Sequence, residues 1–236
     1  MPIRAITFDF WRTLFRDARS AERKQARIEA LVRETGISET QAVEAMKPVM
    51  NEYMRVHIHE QRTLLPSDAV PLLEARLGVR FTPEAVARLS AAFGTAILDH
   101  PPEPIDAAID AVRAAASRFP VGLISDTGIS PGSSLEVLLE RHGFLPHFKT
   151  LVYSDVMGVA KPRAEMFHAA AEGLGVRPDE LLHIGDLEPT DIRGAIAVGG
   201  TAALFAGDNT RFIGTTTAHH TFVHWNEFIE RLADIA

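Results

Sequence analysis

Ile6-Thr7-Phe8-Asp9-Phe10-Trp11-Arg12-Thr13-Leu14 is an apolar run interrupted by one carboxylate. Residues 3–9 read as a short buried strand that delivers Asp9 to a sheet edge. From Asp17 to about Leu98 the apolar spacing turns helical. Ser38-Glu39-Thr40-Gln41 has the form of a capping box, and Thr82-Pro83-Glu84 places proline at a first helical position. Pro48 and Pro71 predict ends or kinks that divide this block into several helices. His100-Pro101-Pro102-Glu103-Pro104 reads as a stiff linker into a different pattern.

Beyond the linker, strands and helices alternate. Helical patterns over Ile105–Ala116, Leu135–His142, Ala164–Leu174, Asp191–Val198 and Trp225–Leu232 separate strand patterns at Pro120–Ile124, Thr150–Tyr153, Leu181–Ile184 and Thr201–Phe205. Such alternation predicts an α/β fold, a Rossmann-like parallel sheet covered on both faces. The helical block inserted after the first strand predicts a separate all-helical cap. The expected division is a core of residues 1–16 and 100–236 with a cap of residues 17–99. Asp9, Ser125-Asp126 and Gly185-Asp186 all fall just past strand ends, the edge where open parallel sheets bind ligands.

Composition narrows the function classes. The chain has 236 residues, 46% hydrophobic and 23% charged, enough to bury a sizeable core. Lys and Arg total 24 against 31 Asp and Glu, a net charge of −7, which leaves no electrostatic footprint for nucleic acid or an anionic membrane. A small anionic substrate must then be drawn by local cations and a metal. The absence of cysteine excludes disulfides, thiol catalysis and thiolate metal sites. With no basic leader and no apolar window of membrane length, a cytoplasmic protein is expected, its oligomeric state unspecified.

Four short motifs carry chemistry. Asp9 at a strand end can act as a carboxylate nucleophile, although a lone strand-terminal Asp can equally make a turn. Ser125-Asp126-Thr127-Gly128 offers hydroxyls and amides for phosphoryl oxygens, or simple caps for the next helix. Lys161-Pro162 opens a helix with a cation that can neutralise a transferring group. Gly185-Asp186-Leu187-Glu188-Pro189-Thr190-Asp191 sets two carboxylates around a turn, hard oxygen donors suited to Mg²⁺.

In this order and strand context the motifs resemble those of the haloacid dehalogenase superfamily, over essentially the whole chain. The resemblance implies a capped Rossmann-like hydrolase. It implies Asp9 as nucleophile, Ser125 and Lys161 as holders of the phosphoryl group, and a Mg²⁺ site. That site would use Asp9, the backbone carbonyl of Trp11 and Asp186, with Asp191 as ligand or as the group orienting Lys161. Asp126 and Thr127 belong to the expected substrate-binding set. Physics gives the same requirement: two carboxylates about 4 Å apart repel by roughly 4 kcal/mol at an effective dielectric of 20, so Asp9 and Asp186 side by side call for a cation.

Trp11 departs from the family pattern. Phosphatases of the superfamily carry there a second aspartate that protonates the leaving oxygen and later activates water, which an indole cannot do. Three readings follow. The first is a Mg²⁺-dependent phosphohydrolase on a small phosphorylated metabolite with a good leaving group, or with an acid borrowed from elsewhere. The second is a metal-free 2-haloacid dehalogenase, a class with an aromatic residue at this position but asparagine at that of Asp126 and no Gly-Asp pair. The third is a non-catalytic binding protein on the same fold. Phosphonatases place a small residue at Trp11's position and use a cap lysine; Lys24 and Lys47, the cap lysines here, stand in no such context.

Arg12 either binds a substrate carboxylate or phosphate bidentately or points to solvent or a carboxylate partner. In the cap, Arg55, His59 and Arg62 at helical spacing either face an anionic ligand or form a solvated face.

Overall fold

The computed structural model describes residues 2–235. β1 (Ala5–Phe8) is buried at every position and lies inside a six-stranded parallel sheet. After a turn come β2 (Phe15–Arg16) and four cap helices, α1 (Ser20–Thr35), α2 (Glu39–Arg55), α3 (Ala69–Leu77) and α4 (Pro83–Asp99). The chain re-enters the core through β3 (Glu103–Pro104) and α5 (Ala108–Ala116). It continues through β4 (Val121–Ser125), α6 (Gly132–Arg141), β5 (Thr150–Tyr153), α7 (Ser154–Met157) and α8 (Ala164–Leu174). The last elements are β6 (Leu181–Gly185), α9 (Arg193–Ala197), β7 (Thr201–Phe205), β8 (His220–Phe222) and α10 (Trp225–Ile235).

The sheet order is β5-β4-β1-β6-β7-β8. The chain winds first to one side of β1 and then to the other, so β1 lies at the crossover, where the carboxyl edge opens a crevice. Apolar residues dominate the strands because helices cover both faces. The principal core joins Phe8, Phe10, Phe15, Leu123, Ile184 and Trp225 with α5 and α6. A separate cap core is built by Leu31, Met46, Val49, Leu73, Leu89 and Phe93.

Two readings from the sequence change. Helix α2 runs through Pro48, which neither ends nor divides it. Pro71 sits in the first turn of α3, where the missing N–H has no intrahelical acceptor to lose. The segment after His100 is also more than a stiff linker: Glu103–Pro104 pairs antiparallel with Phe15–Arg16. The outgoing and returning chains thus form one two-stranded ribbon under the cap. The capping box at Ser38 is present, with Gln41 returning a bond to the Ser38 amide at 3.0 Å.

Candidate active site

Asp9 leaves β1 with its amide bonded to the Ile184 carbonyl at 2.9 Å, which fixes it beside β6. The next residues turn sharply: Leu14 and Phe15 both donate to the Phe10 carbonyl, Arg12 donates to the Phe15 carbonyl, and Arg12 takes φ 55°. Among the described residues none donates to the Trp11 carbonyl. Lys161, on the loop before α8, is buried and reaches Asp9 Oδ1 at 2.7 Å, Asp191 Oδ1 at 2.6 Å and the Ile124 carbonyl at 3.0 Å. One ammonium with three donors is thereby fully used.

Asp191 comes this close to β6 because residue 185 is glycine; a Cβ there would collide with the Asp191 carboxyl group. Asp191 Oδ2 accepts the Leu187 amide, and Oδ1 also accepts from His183 Nε2 at 3.1 Å. His183 in turn takes the Thr7 hydroxyl at Nδ1, 2.9 Å away. Burial pulls the imidazole of His183 down, so the neutral ring fits this relay, donating from Nε2 and accepting at Nδ1. Asp186 Oδ2 accepts from Asn209 Nδ2 at 2.7 Å.

Asp9, Asp186 and Asp191 present oxygens that lie within 4.8 Å of one another. Three buried carboxylates thus share one lysine. Burial drives the Asp9 carboxyl well up; Lys161 opposes that shift, and the neighbouring Asp191 and Asp186 charges add to it. Burial, with Asp191's charge, pushes Asp186 up to about 7. Burial also pushes Asp191 up, but Lys161 and His183 outweigh it and hold the group ionised. Lys161 loses by burial and gains more from Asp191, Asp9 and Asp126, so it stays an ammonium. The cluster carries more negative charge than its lysine balances, and its donors are all hard oxygens.

These groups floor a cavity of about 430 Å³ between cap and core. Met50, Tyr53, Met54 and Leu64 form its apolar cap side, with the His57 imidazole and the Arg62 guanidinium as its polar cap groups. Trp11 stands in the wall, its ring edge-on to Phe10 at 5.1 Å and under the Arg23 guanidinium at 5.9 Å. Arg23 is itself tied to Asp17 and to the Ala18 and His100 carbonyls. Cap and core are pinned by Arg27 to Ser130 at 3.0 Å, Ser134 to the Gly94 carbonyl at 3.1 Å and Thr63 to Ser154 at 2.6 Å.

Residues 3–199 match the haloacid dehalogenase-like hydrolases. The chain belongs to that family. A glyceraldehyde 3-phosphate phosphatase of Methanopyrus kandleri is 30% identical over 202 residues, covering 84% of this chain and 81% of that protein. A pyrimidine 5'-nucleotidase of Escherichia coli is 36% identical over 98 residues, 41% of this chain and 42% of that protein. The fold is shared with a 2-haloacid dehalogenase of Pseudomonas syringae pv. Tomato DC3000, at TM-score 0.74 and 18% identity over 99% of this chain and 100% of the other. It is shared as well with a HAD phosphatase of Thermococcus onnurineus, at TM-score 0.68 and 20% identity over 98% of each chain.

In this hydrolase the sequence motifs converge unevenly. Asp9, Lys161, Asp186 and Asp191 meet at the cavity floor, with Trp11, Asp126 and Thr127 also lining it. Ser125 is fully buried and its hydroxyl bonds the Asp126 carbonyl at 3.3 Å, beneath the lining. Thr127 is committed to the core, its hydroxyl and amide bonded to Asp155 and Ser154. Arg12 is not part of the lining; its left-handed backbone turns it to Asp208, 4.0 Å away. Arg55 is spent on Glu52 and Glu60, and His59 is exposed. Arg62 reaches the cavity because a wide turn at Val56–Glu60 and the left-handed Gln61 end the helix before it. The sequence motifs did not mark His183, Asn209 or Asp17. The first was legible only as a lone histidine inside an apolar strand, and Asn209 belongs to no motif.

Proposed function

We propose that the protein is a Mg²⁺-dependent phosphohydrolase of a small phosphorylated metabolite, working through an aspartyl-phosphate on Asp9. The observation that carries this is the triple carboxylate cluster tied to one buried lysine at the crossover edge. Its uncompensated charge and hard donors suit a divalent cation. Asp9, Asp186 and the undonated Trp11 carbonyl would hold it, while Asp191, whose two oxygens are engaged by Lys161, His183 and Leu187, keeps Lys161 in place. Bound there, Mg²⁺ would screen charge on the phosphoryl oxygens.

Asp9 attacks phosphorus, with the carboxylate held by Lys161. Lys161 stays protonated and supplies the positive charge that offsets the transferring group. Ser125, beneath the lining, would reach the phosphoryl group by turning its hydroxyl away from the Asp126 carbonyl. The cavity and its apolar cap side admit a small phosphorylated molecule rather than a polymer. Kinship with two phosphatases supports the reaction class.

Trp11 is the feature that favours a second reading, metal-free hydrolysis of a 2-haloacid, in which halide leaves without a proton. The third carboxylate, Asp186, argues against it, because nothing in that chemistry balances its charge. Asp9→Asn is expected to abolish Mg²⁺-dependent turnover of acetyl phosphate and p-nitrophenyl phosphate in a phosphate-release assay. Full activity in that variant would refute the mechanism, and halide release from 2-chloropropionate in EDTA would establish the second reading.

A further inference from the structure

The phosphoryl-transfer groups leave one need unmet: a proton for the leaving oxygen. Among the titratable groups of the cavity lining, Asp17 is paired with Arg23. Arg62 bonds Glu60 at 3.2 Å, and an arginine does not release its proton near neutral pH. Tyr53 donates its hydroxyl to the Leu65 carbonyl, and burial pushes the phenol far up. Lys161 is saturated by its three acceptors.

His57 remains. It stands on the wide turn at the end of α2 and lines the cavity, and its imidazole makes no hydrogen bond to the described residues. Its Nε2 lies 3.8 Å from Asp126 Oδ2, across the boundary between cap and core. Asp126 is itself held, since Oδ1 accepts the Lys161 amide at 2.9 Å. Burial pushes the Asp126 carboxyl up, and the Lys161 and His57 charges oppose that. At 3.8 Å the two groups are too far apart for a hydrogen bond, so an Nε2 proton is not committed to Asp126. Histidine is also the side chain suited to giving and taking a proton near neutral pH.

On the phosphohydrolase reading, on which this rests, we infer that His57, beside Asp126, is the acid and then the base of the reaction, replacing the carboxylate that Trp11 displaces. An Asp9 oxygen bonds to phosphorus while the bond from phosphorus to the leaving oxygen breaks. The electron pair goes to that oxygen, which takes the proton from Nε2. The neutral ring then takes a proton from water as the water oxygen attacks the aspartyl-phosphate. The bond from phosphorus to Asp9 breaks, its pair returns to the carboxylate, and phosphate departs. The net change is ester plus water to alcohol plus phosphate, with His57 protonated again.

The test compares wild type and His57→Gln, both full length with Mg²⁺, on an alkyl phosphate, p-nitrophenyl phosphate and acetyl phosphate. kcat/KM reports the phosphoryl-transfer step and so isolates the leaving group. For the alkyl ester it is expected to fall by about 10²–10³-fold, with progressively smaller losses on the two better leaving groups. The alkaline limb of the alkyl-ester pH profile, where the imidazolium is lost, is expected to vanish in the variant. In His57→Ala, added imidazole is expected to recover part of the alkyl-ester activity. An equal loss on all three substrates, or an unchanged alkaline limb, would overturn the assignment while leaving the phosphohydrolase reading intact. A wild-type protein that hydrolyses none of the three would overturn that reading and this assignment together.

Discussion

At the scale of single residues, the site depends on close approach. Gly185 admits the Asp191 carboxyl where a methyl group cannot fit. Gly185→Ala should displace Asp191 and break its 2.6 Å contact with Lys161. The expected result is a loss of about 10²-fold or more in kcat from misplaced groups, with about 1–3 kcal/mol of stability lost to overpacking. Steady-state kinetics with denaturant melts would check it, and a fully active variant would show that Asp191 has room to move. The carboxylates and lysine were legible in the sequence because each belongs to a motif at a strand or helix boundary. His57 was not, because its relation to Asp126 depends on how the cap sits on the core. Arg12 shows the reverse: adjacent in sequence to Trp11, it is turned out of the site by one left-handed residue.

At the scale of elements, α10 closes over the turn after Asp9 from the opposite end of the chain. Trp225 is buried, stacks on Phe205 at 4.3 Å, and meets Phe8 and Phe228 at 5.6 Å each. Its indole N–H donates to the Thr13 carbonyl at 3.1 Å, a group four residues beyond Asp9. Trp225→Phe should cost about 1–3 kcal/mol, chiefly by leaving that carbonyl unpaired. Trp225→Ala should cost about 3–5 kcal/mol through the cavity it opens. Urea unfolding separates the two, and equal costs would assign the whole effect to the lost indole hydrogen bond. The strand–helix alternation was legible because period-2 and period-3.6 patterns are local. The ribbon joining Phe15–Arg16 to Glu103–Pro104 was not, since its partners lie some cap length apart and carry no strand pattern. Pro48 likewise misled, because packing of α2 against the cap core outweighs a local helix-breaking preference.

At the scale of the whole molecule, the winding about β1 gathers negative charge at one edge of an already acidic chain. Asp186, pushed up to about 7 by burial and Asp191, lies above a free aspartate. The metal-free folded protein therefore keeps a proton that the unfolded chain has released, and stability is lost as pH rises from about 4 to about 7. Asp9 acts in the same direction. Asp191 is depressed, so its contribution is lost only at pH below a free aspartate's range. The melting temperature in EDTA is expected to fall between about pH 5 and about pH 7.5, with Mg²⁺ restoring more at the higher pH. Calorimetry that found no stabilisation by Mg²⁺ at about pH 7.5 would contradict a cation at this cluster.

Acid-quenching the protein during Mg²⁺-dependent turnover of acetyl phosphate would trap a phosphorylated Asp9. Mass spectrometry of the tryptic peptide Ala5–Arg12, with Asp9 as its one carboxylate side chain, is expected to show phosphate that disappears as substrate is exhausted. Phosphate release with that peptide unmodified throughout, or with the label on another residue, would contradict the account.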